Sequence, residues 1–322
     1  MSSAYGANRT TLAIVAAGIA TALALLLPAT PAHAVKRVAL VIGNDAYENV
    51  PALQKAVNDA HAMGEELTKL GFDVVSAQDV GRRAMSRALV ELENKVVSGD
   101  TVLIYFAGHG FAVEDTNYLL PVDVPAAGPG EEGLVRDASF AASGLSDRLQ
   151  EKGAATVILI LDACRDNPFA LKGKRSIGLT RGLTRMDPAE GMFVLFSAGQ
   201  GQSALDRLGD ADTNPNSVFT RTLLQEMDQP GQSMVQIAKR TQSKVRELAA
   251  KVDHVQVRPI TTRSLATFIL RRRVRQRPRV PSTRWKKVVG RAYCHSLSRS
   301  SRRCPQARSR WQASRGPTAA GW

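Results

Sequence analysis

Residues 156–165 read TVILILDACR, and a second apolar run, residues 101–110, reads TVLIYFAGHG. Both runs are almost continuously apolar, which predicts two strands buried on both faces of a parallel sheet. We expect one strand to end at Asp162-Ala163-Cys164 and the other to end in a turn at Gly108-His109-Gly110. Because functional groups gather at the carboxyl ends of parallel strands, these two ends are predicted to meet on one rim of the sheet.

Further apolar runs alternate with helical periodicities on both sides of this pair. Strands are predicted at Arg37–Ile42, Phe72–Ala77, Tyr118–Pro121, Met192–Ser197 and Leu265–Leu270. Helices are predicted at Ala56–Leu70, Met85–Val97, Ser143–Glu151, Ser217–Met227 and Met234–Lys251. Loops are predicted at Ala126–Gly133, Lys172–Arg185 and Gly199–Asn216. The alternation predicts an α/β three-layer sandwich, with helices on both faces of a mostly parallel sheet.

The positive charge of the chain is concentrated at its end. Residues 271–322 contain sixteen of the 43 lysines and arginines and no Asp or Glu, so residues 1–270 hold 27 basic and 29 acidic residues. The terminal segment has no apolar periodicity, and it is therefore predicted to be a disordered tail. The near-neutral body gives no sign of a nucleic-acid interface, and we expect no specific nucleic-acid partner.

The first 34 residues have the pattern of a secretory signal. Arg9 precedes an apolar run from Leu12 to Leu27, and Ala32-His33-Ala34 supplies small residues at a cleavage site. An uncleaved membrane anchor is the alternative, but a run of sixteen residues is short beside the roughly 20 that a span needs. We therefore predict cleavage after Ala34, a periplasmic or secreted mature protein, and no stable membrane span.

Cys164 is the only cysteine between the signal and the tail, since Cys294 and Cys304 both lie in the tail. The grouping of Cys294-His295 with Cys304 does not match zinc spacing.

A lone cysteine in an exported domain is either a buried apolar residue or a reactive thiol. A thiol becomes a nucleophile when a base such as histidine is close, and His109 at the neighbouring strand end is the predicted base. The backbone N–H groups of Gly110 and Cys164 are predicted to hold the oxyanion.

Several stretches together resemble the bacterial caspase-like cysteine peptidases, relatives of metacaspases, paracaspases and caspases in peptidase clan CD. They are ALVIGNDAY (39–47), NDAHAM (58–63), YFAGHG (105–110), LDACRDNPF (161–169), FSAGQGQSALD (196–206) and NSVFTRTLL (216–224). The resemblance implies a caspase-hemoglobinase fold with a six-stranded sheet and peptide hydrolysis through a thioester, with no cofactor and no catalytic metal. It also implies a peptidase domain over residues 35–270, with a p20-like part to about residue 170, a basic linker at 171–190 and a p10-like part at 191–270.

The resemblance to metacaspases favours cleavage after Arg or Lys, with Asp162 in the pocket that binds this residue. Asp45 and Asp206 are predicted to add negative charge to that pocket, where a guanidinium would form a charge-assisted pair. The alternatives are a strand-end role for Asp162 and solvated turn positions for Asp45 and Asp206. Arg165 leaves a further choice open, between a pocket cation that favours an acidic substrate and a partner for Asp162 or Asp166.

The basic loop 172–185 is a candidate self-cleavage site, because relatives are often cut between the two parts. The chain departs from many relatives at Gln256-Val-Arg-Pro, where they have a Trp after the Pro. A catalytically silent binding or scaffold module is the rival function, and labelling of Cys164 by a thiol-reactive peptide analogue would separate it from a peptidase. A Ser-dependent α/β hydrolase is disfavoured, because no Gly-x-Ser-x-Gly motif follows a predicted strand.

Overall fold

The computed structural model describes residues 35–128, 130–164, 169, 183–184, 186, 188–199, 202, 204–256, 261–262 and 270. By residue contacts the chain divides into two units, residues 1–274 and 275–322, and every described residue belongs to the first. The predicted signal, the whole predicted basic tail and most of the predicted linker lie outside the described residues. Within the described ranges, no helix combines the length and apolarity needed to cross a membrane.

Eight strands and six helices alternate along the described part of the chain. The strands are β1 (Arg37–Gly43), β2 (Asp73–Gln78), β3 (Thr101–Val113), β4 (Thr116–Leu119), β5 (Phe140–Ala141), β6 (Thr156–Cys164), β7 (Met192–Phe196) and β8 (Thr261–Thr262). The helices are α1 (Ala56–Lys69), α2 (Arg82–Lys95), α3 (Glu132–Ala138), α4 (Ala142–Glu151), α5 (Val218–Met227) and α6 (Met234–Ala250).

The central sheet has the strand order β2-β1-β3-β6-β7-β8. Its first five strands pair in parallel, and β8 pairs antiparallel with β7. Strand β4 pairs antiparallel with the far end of β3, and β5 pairs with β4. The sheet is therefore mostly parallel and the fold is the predicted α/β sandwich.

Two apolar layers cover the sheet, because side chains alternate between its faces. One layer contains Ile104, Phe106 and Leu161 with residues of α2 and α4, such as Leu89 and Leu149. The opposite layer combines side chains of the same strands with helices α1, α5 and α6 and includes Leu103, Tyr105, Ile160, Met63 and Phe219. The candidate site lies on the side of α1 and α5, at the carboxyl ends of β3 and β6.

The predicted turn at Gly108-His109-Gly110 is wrong. Strand β3 continues through these residues to Val113, where β4 supplies an antiparallel partner that pairs Gly110 with Leu119. Two glycines suggest a turn locally, but the buried Phe111 and the hydrogen-bonded partner strand favour extension. Strand β6 likewise runs through Cys164.

Two short elements were not predicted, and one predicted strand lies almost wholly outside the described residues. Helix α3 begins inside the segment 126–133 that was predicted to be a loop, and β5 follows it. Both elements are too short to give a clear periodic pattern. The last described strand is β8, upstream of the predicted strand 265–270, of which only Leu270 is described.

Candidate active site

His109 and Cys164 occupy neighbouring positions on the two central strands. Strands β3 and β6 are parallel, and their register runs from Thr101 opposite Thr156 to His109 opposite Cys164. Neighbouring strands in a sheet lie about 4.8 Å apart. The fold thus brings together two backbone positions that are 55 residues apart in the chain.

The His109 ring is buried, with 5% exposure, and its two nitrogens have different surroundings. Nε2 lies 2.7 Å from the carbonyl oxygen of Pro51. A carbonyl can only accept, so Nε2 carries the proton in the neutral ring and Nδ1 keeps its lone pair. Nδ1 is buried and has no hydrogen-bond partner among the described residues. Burial lowers the pKa of His109, while the bond to Pro51 opposes this effect. The ring is therefore an oriented base whose lone pair is at Nδ1.

Tyr47, from the loop that joins β1 to α1, fixes the backbone at His109. Its hydroxyl accepts a hydrogen bond from the His109 N–H at 2.8 Å and donates one to the Leu120 carbonyl at 3.2 Å. The Tyr47 and His109 rings are 4.6 Å apart between centroids. This approach requires glycine at position 108, because a Cβ there would lie 2.6 Å from the Tyr47 hydroxyl. Gly108 therefore has a packing role that the turn interpretation did not foresee.

Asp162 is buried at the end of β6 and binds the first turn of α5. Its Oδ2 accepts hydrogen bonds from the hydroxyls of Ser217 at 2.8 Å and Thr220 at 2.9 Å. The Thr220 hydroxyl also lies 2.6 Å from the hydroxyl of Tyr105. Burial raises the pKa of Asp162, and the Ser217 and Thr220 hydroxyls counteract that shift. The carboxyl group is thus anchored to the helix and is costly to ionise.

Asp59, in the first turn of α1, joins the same buried group. Its Oδ1 accepts a hydrogen bond from the backbone N–H of Ser217 at 2.9 Å, and its exposure is 2%. Burial, followed by the negative charge of Asp162, raises the pKa of Asp59 to about 8. The two carboxyl groups therefore tend to keep at least one proton at neutral pH.

A cavity with a volume of about 20 Å³ opens between these carboxyl groups and a nearby loop. Asp59, Asp162, Asp206 and Lys55 line it together with Gly108 and a few further residues. Its volume is close to that of a single water site, which needs roughly 10–15 Å³. The structure thus brings Asp162 and Asp206 together around one cavity, and adds Asp59 to them.

Asp45 has another set of contacts. Its two carboxylate oxygens accept hydrogen bonds from the N–H groups of Ala56 and Val57 at 2.9 and 3.0 Å. It thereby caps the start of α1, and it does not belong to the described residues that line the cavity. Its charge still reaches the cavity, because it contributes to raising the pKa of Asp206, after burial as the first cause.

A model of the caspase domain family matches residues 36–289. The chain belongs to this family. The match includes every described residue after Val35, and therefore the strands that carry His109, Cys164 and Asp162. The family consists mostly of cysteine peptidases, so the chain carries a caspase-like hydrolase domain or a related module.

Two mammalian relatives are similar to part of this chain. The chain is 31% identical over 129 residues to the mucosa-associated lymphoid tissue lymphoma translocation protein 1 of Homo sapiens, and equally to its homolog in Mus musculus. The match covers 40% of this chain and 15% of each relative. The chain therefore spans only a small fraction of the length of these relatives, and the similarity concerns 129 residues.

Two residues near the end of the predicted linker 171–190 pack against strands close to the site. Leu183 and Thr184 lie close to β3 and β4, and a Cβ at Gly110 would lie 2.9 Å from Leu183 Cδ2. Asn117 in β4 binds both backbone groups of Thr184, since its amide donates to the carbonyl and accepts from the N–H. Two positions at the end of the linker are thus attached to the domain. Arg165, Asp166 and linker residues 172–182 and 185 lie outside the described residues.

Sequence reasoning missed Asp59, Tyr47 and Lys55 as residues of the site. Asp59 and Tyr47 fall in NDAHAM and ALVIGNDAY, two of the stretches that carry the family resemblance. An acidic residue in the first turn of a helix is commonly explained by its favourable interaction with the helix dipole. The sequence therefore gave no reason to assign Asp59 to the site. Lys55 left no signal in the sequence, because only the folded chain shows that it lines a cavity.

Proposed function

We propose that this caspase domain is a cysteine endopeptidase in which Cys164 is the nucleophile and His109 the base. The backbone register of β3 and β6 carries the proposal, because it pairs these two residues. The orientation of the His109 ring supports it, since Nε2 is held by Pro51 and Nδ1 is left to accept a proton. A base with a lowered pKa is neutral at pH 7, as proton abstraction requires.

In the proposed reaction, His109 Nδ1 takes the thiol proton of Cys164 as the sulfur attacks the carbonyl carbon of the substrate. The oxyanion that forms is stabilised by the N–H groups of Gly110 and Cys164. The peptide nitrogen leaves with the proton from His109, and a thioester remains on Cys164. Water, deprotonated by His109, then hydrolyses the thioester and returns the thiol.

We further propose that the enzyme cuts after Arg or Lys, the P1 residue that precedes the cleaved bond. Asp59, Asp162 and Asp206 support this preference, because three carboxyl groups line one cavity at the ends of the catalytic strands. A guanidinium or ammonium would relieve the repulsion between the buried carboxyl groups as it binds. An acidic P1 side chain would increase that repulsion.

Hydrolysis of fluorogenic peptides that differ only at P1 tests both proposals. Protein beginning at Val35 is assayed on Arg, Lys and Asp substrates beside the Cys164→Ala variant, with and without calcium. We expect cleavage after Arg and Lys that disappears in Cys164→Ala. Cleavage after Asp would overturn the assignment of the P1 pocket, but the protein would still be a peptidase. Absence of all cleavage, together with absence of Cys164 labelling by a thiol-reactive peptide analogue, would favour a binding or scaffold module.

Self-cleavage in loop 172–185 is a separate proposal, supported by the five basic residues of this loop and by the basic P1 preference. Mass spectrometry of the incubated protein should find new ends after one of these residues. Cys164→Ala should remain a single chain. A wild-type chain that stays intact while it is fully active would contradict self-cleavage.

Export is proposed on the N-terminal pattern, from Arg9 to Ala34. N-terminal sequencing of the protein recovered outside the cytoplasm should begin at Val35. A recovered chain that still begins at Met1 would indicate the uncleaved anchor.

A further inference from the structure

Lys55 is an unexpected cation beside the carboxyl groups of the proposed P1 pocket. It stands immediately before α1, it is 8% exposed, and it lines the same cavity as Asp59, Asp162 and Asp206. A buried lysine is rare unless it is paired. Its presence in the pocket of a protease that accepts basic residues therefore needs an explanation.

The Lys55 ammonium is satisfied by backbone rather than by the carboxyl groups. Nζ donates to the carbonyl oxygens of Asp206 at 2.7 Å, Asn214 at 2.8 Å and Asn216 at 3.3 Å. An ammonium has three N–H donors, so all three are used. The charge is held at one place in the cavity wall. Burial raises the pKa of Asp206, and the nearby Lys55 charge opposes that rise.

The same contacts hold a loop at one wall of the cavity. Residues 206–216 form a loop that comes more than 150 positions after Lys55 in the chain, and the three carbonyl bonds tie this loop to the start of α1. A neighbouring bond adds to the attachment, because Arg207 Nη2 donates to Gln54 Oε1 at 2.7 Å. With the loop in this position the cavity has about 20 Å³, close to the size of a single water site. A basic side chain that enters the cavity therefore comes close to the Lys55 ammonium.

We propose that Lys55 is a specificity-determining residue, a resident cation that competes with the basic P1 side chain for the acidic cavity. This inference rests on the proposed peptidase function and its basic P1 preference. The fixed charge of Lys55 repels an incoming guanidinium, whereas a neutral side chain of the same shape meets no such repulsion. Lys55 thus reduces the advantage that a charged P1 residue has over a neutral one.

The test compares two substrates that differ only in P1 charge, arginine and its neutral analogue citrulline. Lys55→Met keeps the apolar stem without the charge, and Lys55→Gln keeps an N–H donor without the charge. In both variants we expect the ratio of kcat/KM for the arginine over the citrulline substrate to rise about tenfold, through a lower KM for arginine, which corresponds to roughly 1.4 kcal/mol. Lys55→Arg should restore the wild-type ratio.

Gln54→Ala is the matched control, because it removes a contact to the same loop without changing the charge in the cavity. It should leave the arginine-to-citrulline ratio unchanged. An equal loss of kcat/KM on both substrates in Lys55→Met and Lys55→Gln would overturn the proposal. Lys55 would then only hold the loop in place. Lys55→Gln keeps the test open should Lys55→Met fail to fold.

A binding measurement separates this inference from the peptidase function. In the Cys164→Ala background, NMR titration gives the affinity for butylguanidine and for the neutral butylurea. We expect Lys55→Gln to bind butylguanidine about tenfold more tightly than the parent, with butylurea unaffected. That result would stand even if no peptide were cleaved. An unchanged affinity for butylguanidine would refute the role of Lys55 whatever the activity.

Discussion

The hydroxyl of Tyr47 accepts a hydrogen bond from the backbone N–H of His109 at 2.8 Å. Tyr47 lies in the loop after β1, and the same loop supplies the Pro51 carbonyl that binds His109 Nε2. One loop therefore holds the backbone and the ring of the proposed base. Asn44 fixes the beginning of this loop, since its amide donates to Leu120 and accepts from the Val80 N–H.

Tyr47→Phe should lower kcat/KM about tenfold and cost about 1–2 kcal/mol of stability, because it leaves the buried His109 N–H without its acceptor. Peptide hydrolysis and urea unfolding measure the two effects. Tyr118→Phe is the control. Tyr118 stacks on Phe111, and its substitution removes no hydrogen bond at His109. Unchanged activity in Tyr47→Phe would show that the ring contact alone positions His109.

Gly108→Ala should destabilise the domain by about 1–3 kcal/mol, as overpacking does in a buried site. The added Cβ would lie 2.6 Å from the Tyr47 hydroxyl and 2.9 Å from Phe106 Cζ. In a Tyr47→Phe background the first clash is removed, so the cost should be smaller than in the wild type. A double-mutant cycle by denaturant unfolding measures this coupling. Additive effects would exclude Tyr47 as the reason for glycine at this position.

The free energy of unfolding should fall as pH rises from about 4 to about 8. The pKa of Asp59 is raised in the folded state from 3.8 to about 8, so the native protein keeps a proton that the unfolded chain has lost. The resulting contribution to the free energy of unfolding is fully present below pH 4 and is lost as the pH approaches 8. Asp59→Asn should flatten this dependence in urea titrations, whereas the exposed Asp147→Asn should not. A wild-type curve that is flat over this range would contradict a buried, protonated Asp59.

The preference for arginine over citrulline at P1 should increase with pH up to about 8. A guanidinium binds best when Asp59 has lost its proton, and the pKa of this group is about 8. Burial lowers the pKa of His109, so it lies below that of Asp59, and the titration of His109 affects both substrates equally. Measurement of kcat/KM for both substrates from pH 5 to 9 tests the expectation. A ratio that does not change with pH would remove Asp59 from the pocket.

Asn117→Ala should cost about 2–3 kcal/mol, because it leaves the N–H and carbonyl of Thr184 without the bonds that Asn117 provides. Cleavage by trypsin near residue 185 should also become faster, as the end of the linker loses its attachment. Asn49→Ala is the control, since Asn49 makes a single bond to the Val124 carbonyl at a partly buried site. Equal trypsin sensitivity in both variants would show that Asn117 does not hold the linker.

The sequence by itself predicted the five parallel strands of the central sheet. Apolar runs such as Thr101–Ala107 and Thr156–Leu161 have few alternatives to a buried parallel strand, because every position along them is apolar or small. Since parallel strands place their ends on one edge, the meeting of His109 and Cys164 followed from pattern and principle. Motifs around these residues were specific enough to indicate the caspase domain family.

Only the tertiary structure decided how β3 ends and which residues surround the cavity. Glycines 108 and 110 suggested a turn, but a partner strand and the Tyr47 contact, both distant in sequence, keep the chain extended. Two helix starts meet at the edge of the sheet and supply Asp59, Lys55 and Ser217. No local sequence pattern predicts that these residues lie close together. Secondary structure depends largely on neighbours along the chain, whereas a buried charge acquires its role from groups that folding alone brings near.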